Sequence, residues 1–385
     1  MSPRMNKFAD FIYRRYPLRV LATMLYLAPK RVCDSSYYPE EKRKSGIRRY
    51  FEILWASVKT GDYGKFYNAY GFDLKNSPKK SDYMLEPEFW KKIIPLNYIG
   101  AVNYSLVLRD KFVFWSVLSR FGIPTPEVLA YCKNGRYYHQ GHEVTREAWW
   151  SALRNRGECF FLKATNDACA RSVWRIEVKD DGLFADGKVL DAESTMVEDG
   201  AFLAQSAVAN CELLSAIQPN SVNTLRIVTL SDGTGDIKLL SPGGLRVGGG
   251  GAVDNWAAGG LFVGITKDGC LQKYGFYKPG KTKFAKSSCQ PQTGFVFDGV
   301  KLPYYDDAVA LVKKAHAILS EVRTIGWDVA LTPTGPVIIE GNDNWEISLM
   351  QIVAGGLKNR LECLINEDSR KNKVKQEKSR KLTGK

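Results

Sequence analysis

Residues 326–342 read GWDVALTPTGPVIIEGN. Two apolar runs flank Pro333-Thr334-Gly335, and a proline and a glycine between such runs mark a β-hairpin. Each run carries one carboxylate, Asp328 in the first and Glu340 in the second, and Asn342 follows two residues later. With Pro333-Thr334-Gly335 as a three-residue loop, Thr332 pairs with Pro336, and the same register sets Asp328 opposite Glu340. Directly opposed side chains stand about 4.5–5.5 Å apart at Cβ, where like charges repel. Asn342 shares their face, because side chains alternate along a strand. Two carboxylates and an amide oxygen converging on one spot predict a seat for a divalent cation, and hard oxygen ligands suit Mg²⁺ or Mn²⁺. The competing reading is a solvent-facing sheet end with scattered acids. Turn and spacing lead independently to one register, which favours the metal.

Two further regions carry candidate chemistry. In SVNTLRIVTL (221–230) Arg226 lies in a β-branched strand. In LRVGGGGAVDNWAAGG (245–260) Arg246 precedes four glycines, followed by Asp254-Asn255 and Gly259-Gly260. Glycines let backbone approach a ligand closely, and arginines there suit phosphate or carboxylate. Taken singly, each feature also fits a flexible glycine loop beside an edge-strand arginine. Lys111 opens a helix in RDKF and Lys163 ends the apolar strand CFFLKA; neither is specific alone.

The 385 residues are 44% hydrophobic and 12% aromatic, ample for a large core and two or three domains. A net charge of +14 favours anionic partners: nucleotide phosphates, nucleic acid or an anionic membrane face. No recognition motif for nucleic acid accompanies that charge, so nucleic acid is not the expected partner. The eight cysteines form no CxxC pair and no cluster with the three histidines, which points to reduced thiols in a cytosolic protein. No run reaches the roughly 20 apolar residues of a membrane span. Residues 8–32, FADFIYRRYPLRVLATMLYLAPKRV, alternate apolar clusters with Arg14, Arg15, Arg19, Lys30 and Arg31. Arg19 interrupts the apolar stretch and no A-x-A site follows, which argues against a signal peptide. The stretch fits an ordinary packing helix with solvated arginines, or a basic amphipathic helix pair suited to peripheral contact with an anionic inner membrane face.

Along the chain, the first hundred residues read as helical and aromatic-rich. RDKFVFWSVLSRFGIPTPEVLAY (109–131) reads as a helix ending at Gly122, a turn and a strand. Short apolar runs then alternate with turns: CFFLKA, SVWRIEV, AFLAQSAV, TLRIVTL, IKLLS and GLFVGIT. One long helix, YDDAVALVKKAHAILSEVRTI, precedes the hairpin, another covers about 347–363, and the charged tail is expected to be disordered. This order predicts an α+β fold of lobes built on antiparallel sheets. The expected divisions are a mainly helical region at 1–108, a first lobe at 109–207, a second lobe with the metal site at 208–364, and a basic tail at 365–385.

These pieces, in this order, resemble the ATP-grasp superfamily, with closest similarity to its sugar-transfer-associated group and to glutathione synthetase and the ribosomal-protein glutamate ligases. RDKFVFWSVLSRFGIPTPEVL resembles the entry segment whose lysine, here Lys111, contacts ATP phosphate, and FFLKA the strand bearing the second nucleotide lysine, Lys163. AFLAQSAV is similar to the hinge strand that meets adenine, at Gln205, Ser206 and Ala207. NTLRIVTL and the glycine-rich segment resemble strands that give Asn223 a nucleotide role and Arg226, Arg246 and Asn255 substrate or phosphate roles. The hairpin resembles the metal hairpin, with Asp328, Glu340 and Asn342 as ligands. The likeness spans about residues 105–360. It departs where ATNDACARSVW replaces a glycine-rich phosphate loop, leaving Ala168, Ala170 and Ser172 to serve, and in the first hundred residues, which lack the usual preceding αβ domain. It implies an ATP- and Mg²⁺-dependent carboxylate–amine ligase that acts through an acyl-phosphate on a small-molecule or glycan substrate. A kinase with a hydroxyl acceptor and a non-catalytic nucleotide-binding protein at the membrane are the alternatives.

Overall fold

The computed structural model describes residues 16–363 except 100, 167–172, 181, 186–187, 191–199, 233–235, 252–255 and 257–258. Its centre is the strand Thr324–Thr332, buried at every position and flanked by Thr224–Ser231 and Gly335–Asn342. A strand buried on both faces sorts its side chains between two cores. Ile325, Trp327, Val329 and Leu331 join one, together with Leu225 and Ile227 and the helix Tyr305–Ile318. Gly326, Asp328 and Ala330 alternate with them and so take the other face. The full sheet runs Lys286–Ser287, Leu271–Tyr277, Leu261–Ile265, Gly244–Val247, Thr224–Ser231, Thr324–Thr332 and Gly335–Asn342, with Ile237–Leu239 added at Thr224–Ser231. A second sheet, built from residues 128–206, places Ala201–Ser206 between Val128–Lys133 and Phe160–Ala164. Among the described residues every strand pair is antiparallel, as the α+β reading expects.

The hairpin reaches the expected pairing by another route. Its turn is tighter: Thr332 pairs with Gly335, so Pro333 and Thr334 alone form the loop. Thr332 Oγ1 donates to the Gly335 carbonyl at 2.8 Å and accepts from Thr334 N at 3.2 Å, which stabilises the short form. A bulge at Ile339 then restores the lost step, since Val329 pairs with Ile338 and Asp328 with Glu340. The bulge also switches faces. Ile338 enters the apolar core, and Glu340 emerges on the face of Asp328.

Two boundaries differ from the expected divisions. The helix Lys111–Arg120, started by the Asp110 carboxylate accepting from Phe112 N and Val113 N, buries Phe114 and Leu118 in the core of the hairpin sheet. Its N-terminal end belongs to the other lobe, for Phe112 stacks on Tyr131 at 4.2 Å and Lys111 N donates to Thr165 O. The N-terminal region is likewise no separate body. Phe66, Tyr70, Tyr83 and Phe89 form one core with Val228, Phe262, Trp345 and Met350 on the far face of the hairpin sheet. The helix expected at 347–363 breaks after Ala354. Gly355 is left-handed (φ +75°), and a Cβ at Gly356 would stand 2.4 Å from the Asp82 carbonyl.

One buried polar chain crosses the first core. Trp327 Nε1 donates to Thr229 Oγ1 (2.7 Å), Thr229 Oγ1 lies 2.6 Å from His316 Nδ1, and His316 Nε2 lies 2.7 Å from the Val322 carbonyl. With Nε2 donating to that carbonyl, Nδ1 accepts from the threonine, so every member is satisfied by a neutral ring. Burial pushes the His316 pKa down to about 4, against the pull of the Val322 carbonyl. The unfolded chain takes up a proton near 6.5 and the folded one not until about 4, so stability falls as pH drops through that window. Unfolding free energy should lose about 3 kcal/mol across it through this residue. Denaturant titrations at stepped pH should show that slope, flattened in His316→Gln.

Candidate functional site

Strand register places Arg226, Asp328 and Glu340 in a row across three adjacent strands. Arg226 Nε lies 2.8 Å from Asp328 Oδ1, and its Nη2 donates to Oδ2 at 3.2 Å. Arg246 Nη1 donates to the same Oδ2 at 2.9 Å, and Asn342 Nδ2 reaches it at 3.4 Å. On the other acid, Lys111 Nζ stands 3.9 Å from Glu340 Oε1. Metal is therefore not needed to relieve the repulsion between the two carboxylates, contrary to the sequence argument: guanidinium groups take up Asp328 and lysines face Glu340.

The donor set still suits a divalent cation. Asp328 Oδ1 is buried and accepts no aligned hydrogen bond. Glu340 is partly exposed and Asn342 lies beside both acids. Among the described residues no three His, Cys, Asp or Glu side chains group into a metal cage. Mg²⁺ uses one or two carboxylates and completes its shell with water and phosphate, so an open site of this kind fits it.

Lys111, Lys163, Gln205 and Glu340, with Leu108, Phe114, Trp115, Thr125 and Ile339, line a cavity of about 30 Å³ between the two sheets. Lys163 Nζ donates to Gln205 Oε1 at 2.8 Å. Burial pushes the Lys163 pKa down to about 8; the Glu340 carboxylate opposes that shift and the Lys111 ammonium adds to it. A lysine so placed binds phosphate with gain, because the anion restores the charge that the protein disfavours.

The remaining predicted residues fall elsewhere. Gln205 Nε2 donates to Pro126 O, and Ser206 exchanges hydrogen bonds with the Glu127 backbone through N (2.9 Å) and Oγ (3.0 Å). Those groups hold the 124–128 segment; Ala207 lies just beyond the strand and is exposed. Asn223 Nδ2 donates to the Leu214 and Gln218 carbonyls, and its Oδ1 accepts from Ser221 Oγ and Gly248 N. A fully buried amide with these four hydrogen bonds positions the glycine-rich segment. Asn255, Ala168, Ala170 and Ser172 lie outside the described residues.

Four residues that the sequence reading passed over, Trp345, Gly326, Arg109 and Asp343, support the row. Arg226 Nη1 donates to the Trp345 carbonyl at 3.4 Å. A Cβ on Gly326 would stand 2.1 Å from Trp345 Cβ and 3.2 Å from Arg226 Nη1, so the glycine opening the hairpin motif is a spacing requirement. Arg109 grips Asp343 with two prongs, Nη2–Oδ2 at 2.6 Å and Nε–Oδ1 at 3.3 Å. That pair ties the residue two before Lys111 to the residue after Asn342. The only signal for it was the presence of both charges at the edges of the quoted motifs. Beyond Arg246, a cavity of about 310 Å³ opens between Gly248, Gly249 and Gly259 on one side and Tyr277, Phe284 and Gln292 on the other.

Residues 96–365 match the family described as sugar-transfer associated ATP-grasp. No curated protein matches the chain. Among solved structures it is similar to the D-alanine-D-alanine ligase from Coxiella burnetii, with 11% identity, TM-score 0.42, and 73% of this chain and 63% of that chain covered. It is also similar to the VanG D-Ala:D-Ser ligase from Enterococcus faecalis, with 12% identity, TM-score 0.40 and coverage of 69% and 63%. A third likeness is to a RimK domain ATP-grasp protein from Sphaerobacter thermophilus, with 15% identity, TM-score 0.35 and coverage of 69% and 68%. The chain thus spans less than two thirds of the length of the first two.

Two outcomes follow from the geometry. Gly326→Ala should cost about 1–3 kcal/mol of stability by overpacking, and should weaken ADP binding by displacing Arg226; calorimetry and nucleotide titration measure both. Between pH 8 and 10.5 the free protein holds Lys163 largely neutral where an exposed lysine is charged. ADP binding in that range should take up protons, read by calorimetry in buffers of different ionisation enthalpy, and Lys163→Met should abolish the uptake.

Proposed function

The chain belongs to the sugar-transfer associated ATP-grasp family, and on that premise we propose that it is an ATP-dependent carboxylate–amine ligase. The observation that carries the reading is the Arg226–Asp328–Glu340 row, with Arg246 beside it and Lys111 and Lys163 facing it. Four cations around two fixed acids suit a polyphosphate that arrives with its counter-cation. Phosphoryl transfer needs mainly positioning and charge neutralisation, which such a set supplies. Asp328, Glu340 and Asn342 would hold Mg²⁺, which supplies neutralisation of the phosphate oxygens when bound. Lys111, at the start of its helix, and Lys163, at the end of its strand, bind the phosphates. Asp328 orients Arg226 and Arg246 beside the place where an anionic substrate would bind. A substrate carboxylate attacks the γ-phosphorus of ATP, ADP leaves, and an amine then displaces phosphate from the acyl-phosphate to form the amide. No step calls for a protein nucleophile.

The cavity beside Arg246 supports an acceptor of modest size. Tyr277 and Phe284 offer aromatic faces of the kind that pack on sugar rings, which supports a glycan acceptor, and on this reading the chain serves surface-polysaccharide assembly in the cytoplasm.

Mg²⁺ and ATP incubated with amino acids and with amino and uronic sugars should release ADP and phosphate together, with a product mass that shows condensation. A phosphorylated product without free phosphate would make the protein a kinase. Glu340→Gln and Arg226→Lys should each lower turnover roughly 100-fold or more, as loss of a transition-state charge partner does; unchanged turnover in Glu340→Gln would remove the assigned metal seat.

A further inference from the structure

The two N-terminal helices carry an exposed apolar surface. The helical run Tyr16–Cys33, which widens to a π-turn at Thr23–Leu27, packs against the helix Gly46–Thr60. Thr23 Oγ1 meets Ser57 Oγ at 2.9 Å, Tyr50 OH donates to Met24 O, and Arg49 donates to Val32 O, so the two run antiparallel. Their inner sides bury Ala28, Ile53 and Ser57. Their outer sides are apolar: Leu25 is 67% exposed, Tyr26 64%, Ile47 74%, Phe51 60% and Trp55 66%. Ile47, Phe51 and Trp55 repeat every fourth residue, and so form one stripe, which exposed Lys59 continues. An apolar stripe on an exposed helix marks an interaction site.

Charge identifies the partner. Residues 16–33 include Arg19, Lys30 and Arg31 and no acid. On the second helix, Arg48 and Lys59 border the stripe, and the single acid, Glu52, is neutralised by Lys44, Arg48 and Lys80. A second copy of the chain would bring like charge against like, on a molecule that already carries +14. Among the described residues no helix is long and apolar enough to cross a membrane. Aromatic and aliphatic side chains rimmed by lysine and arginine on helices that do not span are the features of an interfacial anchor. We propose that the antiparallel helix pair 16–33 and 46–60 docks the protein on an anionic lipid bilayer, with Leu25, Tyr26, Ile47, Phe51 and Trp55 in the headgroup boundary and Arg48 and Lys59 on lipid phosphates. This inference stands apart from the ligase reading, since it rests on none of the residues assigned to that site.

The test is co-sedimentation of the full chain with phosphatidylcholine vesicles, with and without phosphatidylglycerol. The chain should partition to the anionic vesicles, less so as salt rises. Phe51→Asp/Trp55→Asp should lower partitioning at least roughly ten-fold, and Arg48→Glu/Lys59→Glu should remove the preference for phosphatidylglycerol. Phe121→Asp, at an exposed apolar residue elsewhere, should leave it unchanged. Equal binding by wild type and Phe51→Asp/Trp55→Asp, or no binding above the neutral vesicles, would overturn the proposal. So would a concentration-dependent dimer that Phe51→Asp/Trp55→Asp dissolves without any vesicle binding by the wild type.

Discussion

A carboxylate buried inside a β-sheet is tolerable only when charge stands against it, and Asp328 is that carboxylate here. Arg226 lies opposite it on the neighbouring strand and Arg246 reaches in from the next. Leaving such a charge unpaired by removing one partner typically costs about 3–5 kcal/mol. The arrangement therefore binds three strands electrostatically at the point where chemistry is expected. It also explains the surroundings: Gly326 clears space for Trp345, Trp345 offers its carbonyl to Arg226, and Asn223 fixes the start of the glycine-rich segment two residues after Arg246.

Local pattern carried much of this into the sequence. Alternation and turn residues were enough to read antiparallel strands and the helix that begins at Lys111. The pairing of Asp328 with Glu340 was also legible, though through two offsetting differences: a loop shorter by one residue and a bulge that adds one back. What stayed hidden depended on contacts between distant segments. Nothing in Arg226 or Arg246 alone says that they share one aspartate, and nothing in Asn223 says that four groups from separate segments will consume its amide. The cations that face the two acids, Lys111, Lys163, Arg226 and Arg246, come from four separate stretches of chain and leave no local trace.

The same limit applies to domains. Composition shifts near residue 109 suggest a boundary, yet the core ignores it. The aromatic N-terminal region covers the far face of the hairpin sheet through Phe66 on Trp256 and Phe89 on Trp345. Trp345 also touches the site through its carbonyl. The helical region is thus a structural wall of the second lobe, and it holds a site component in place.

The bulge at Ile339 bears on how this hairpin can vary. In an unbroken strand Ile338 and Glu340 would share a face, and one of them would be misplaced: an acid in the apolar core or an isoleucine in the cleft. The extra residue divides the hairpin into two halves of opposite parity. The turn half, from Thr332 to Ile338, answers to the core and to the Pro124 carbonyl that accepts from Ile338 N. The site half, from Glu340 onward, answers to Asp328. Drift in the turn is absorbed before it reaches the acids, so the loop is free to diverge while the cleft keeps its geometry.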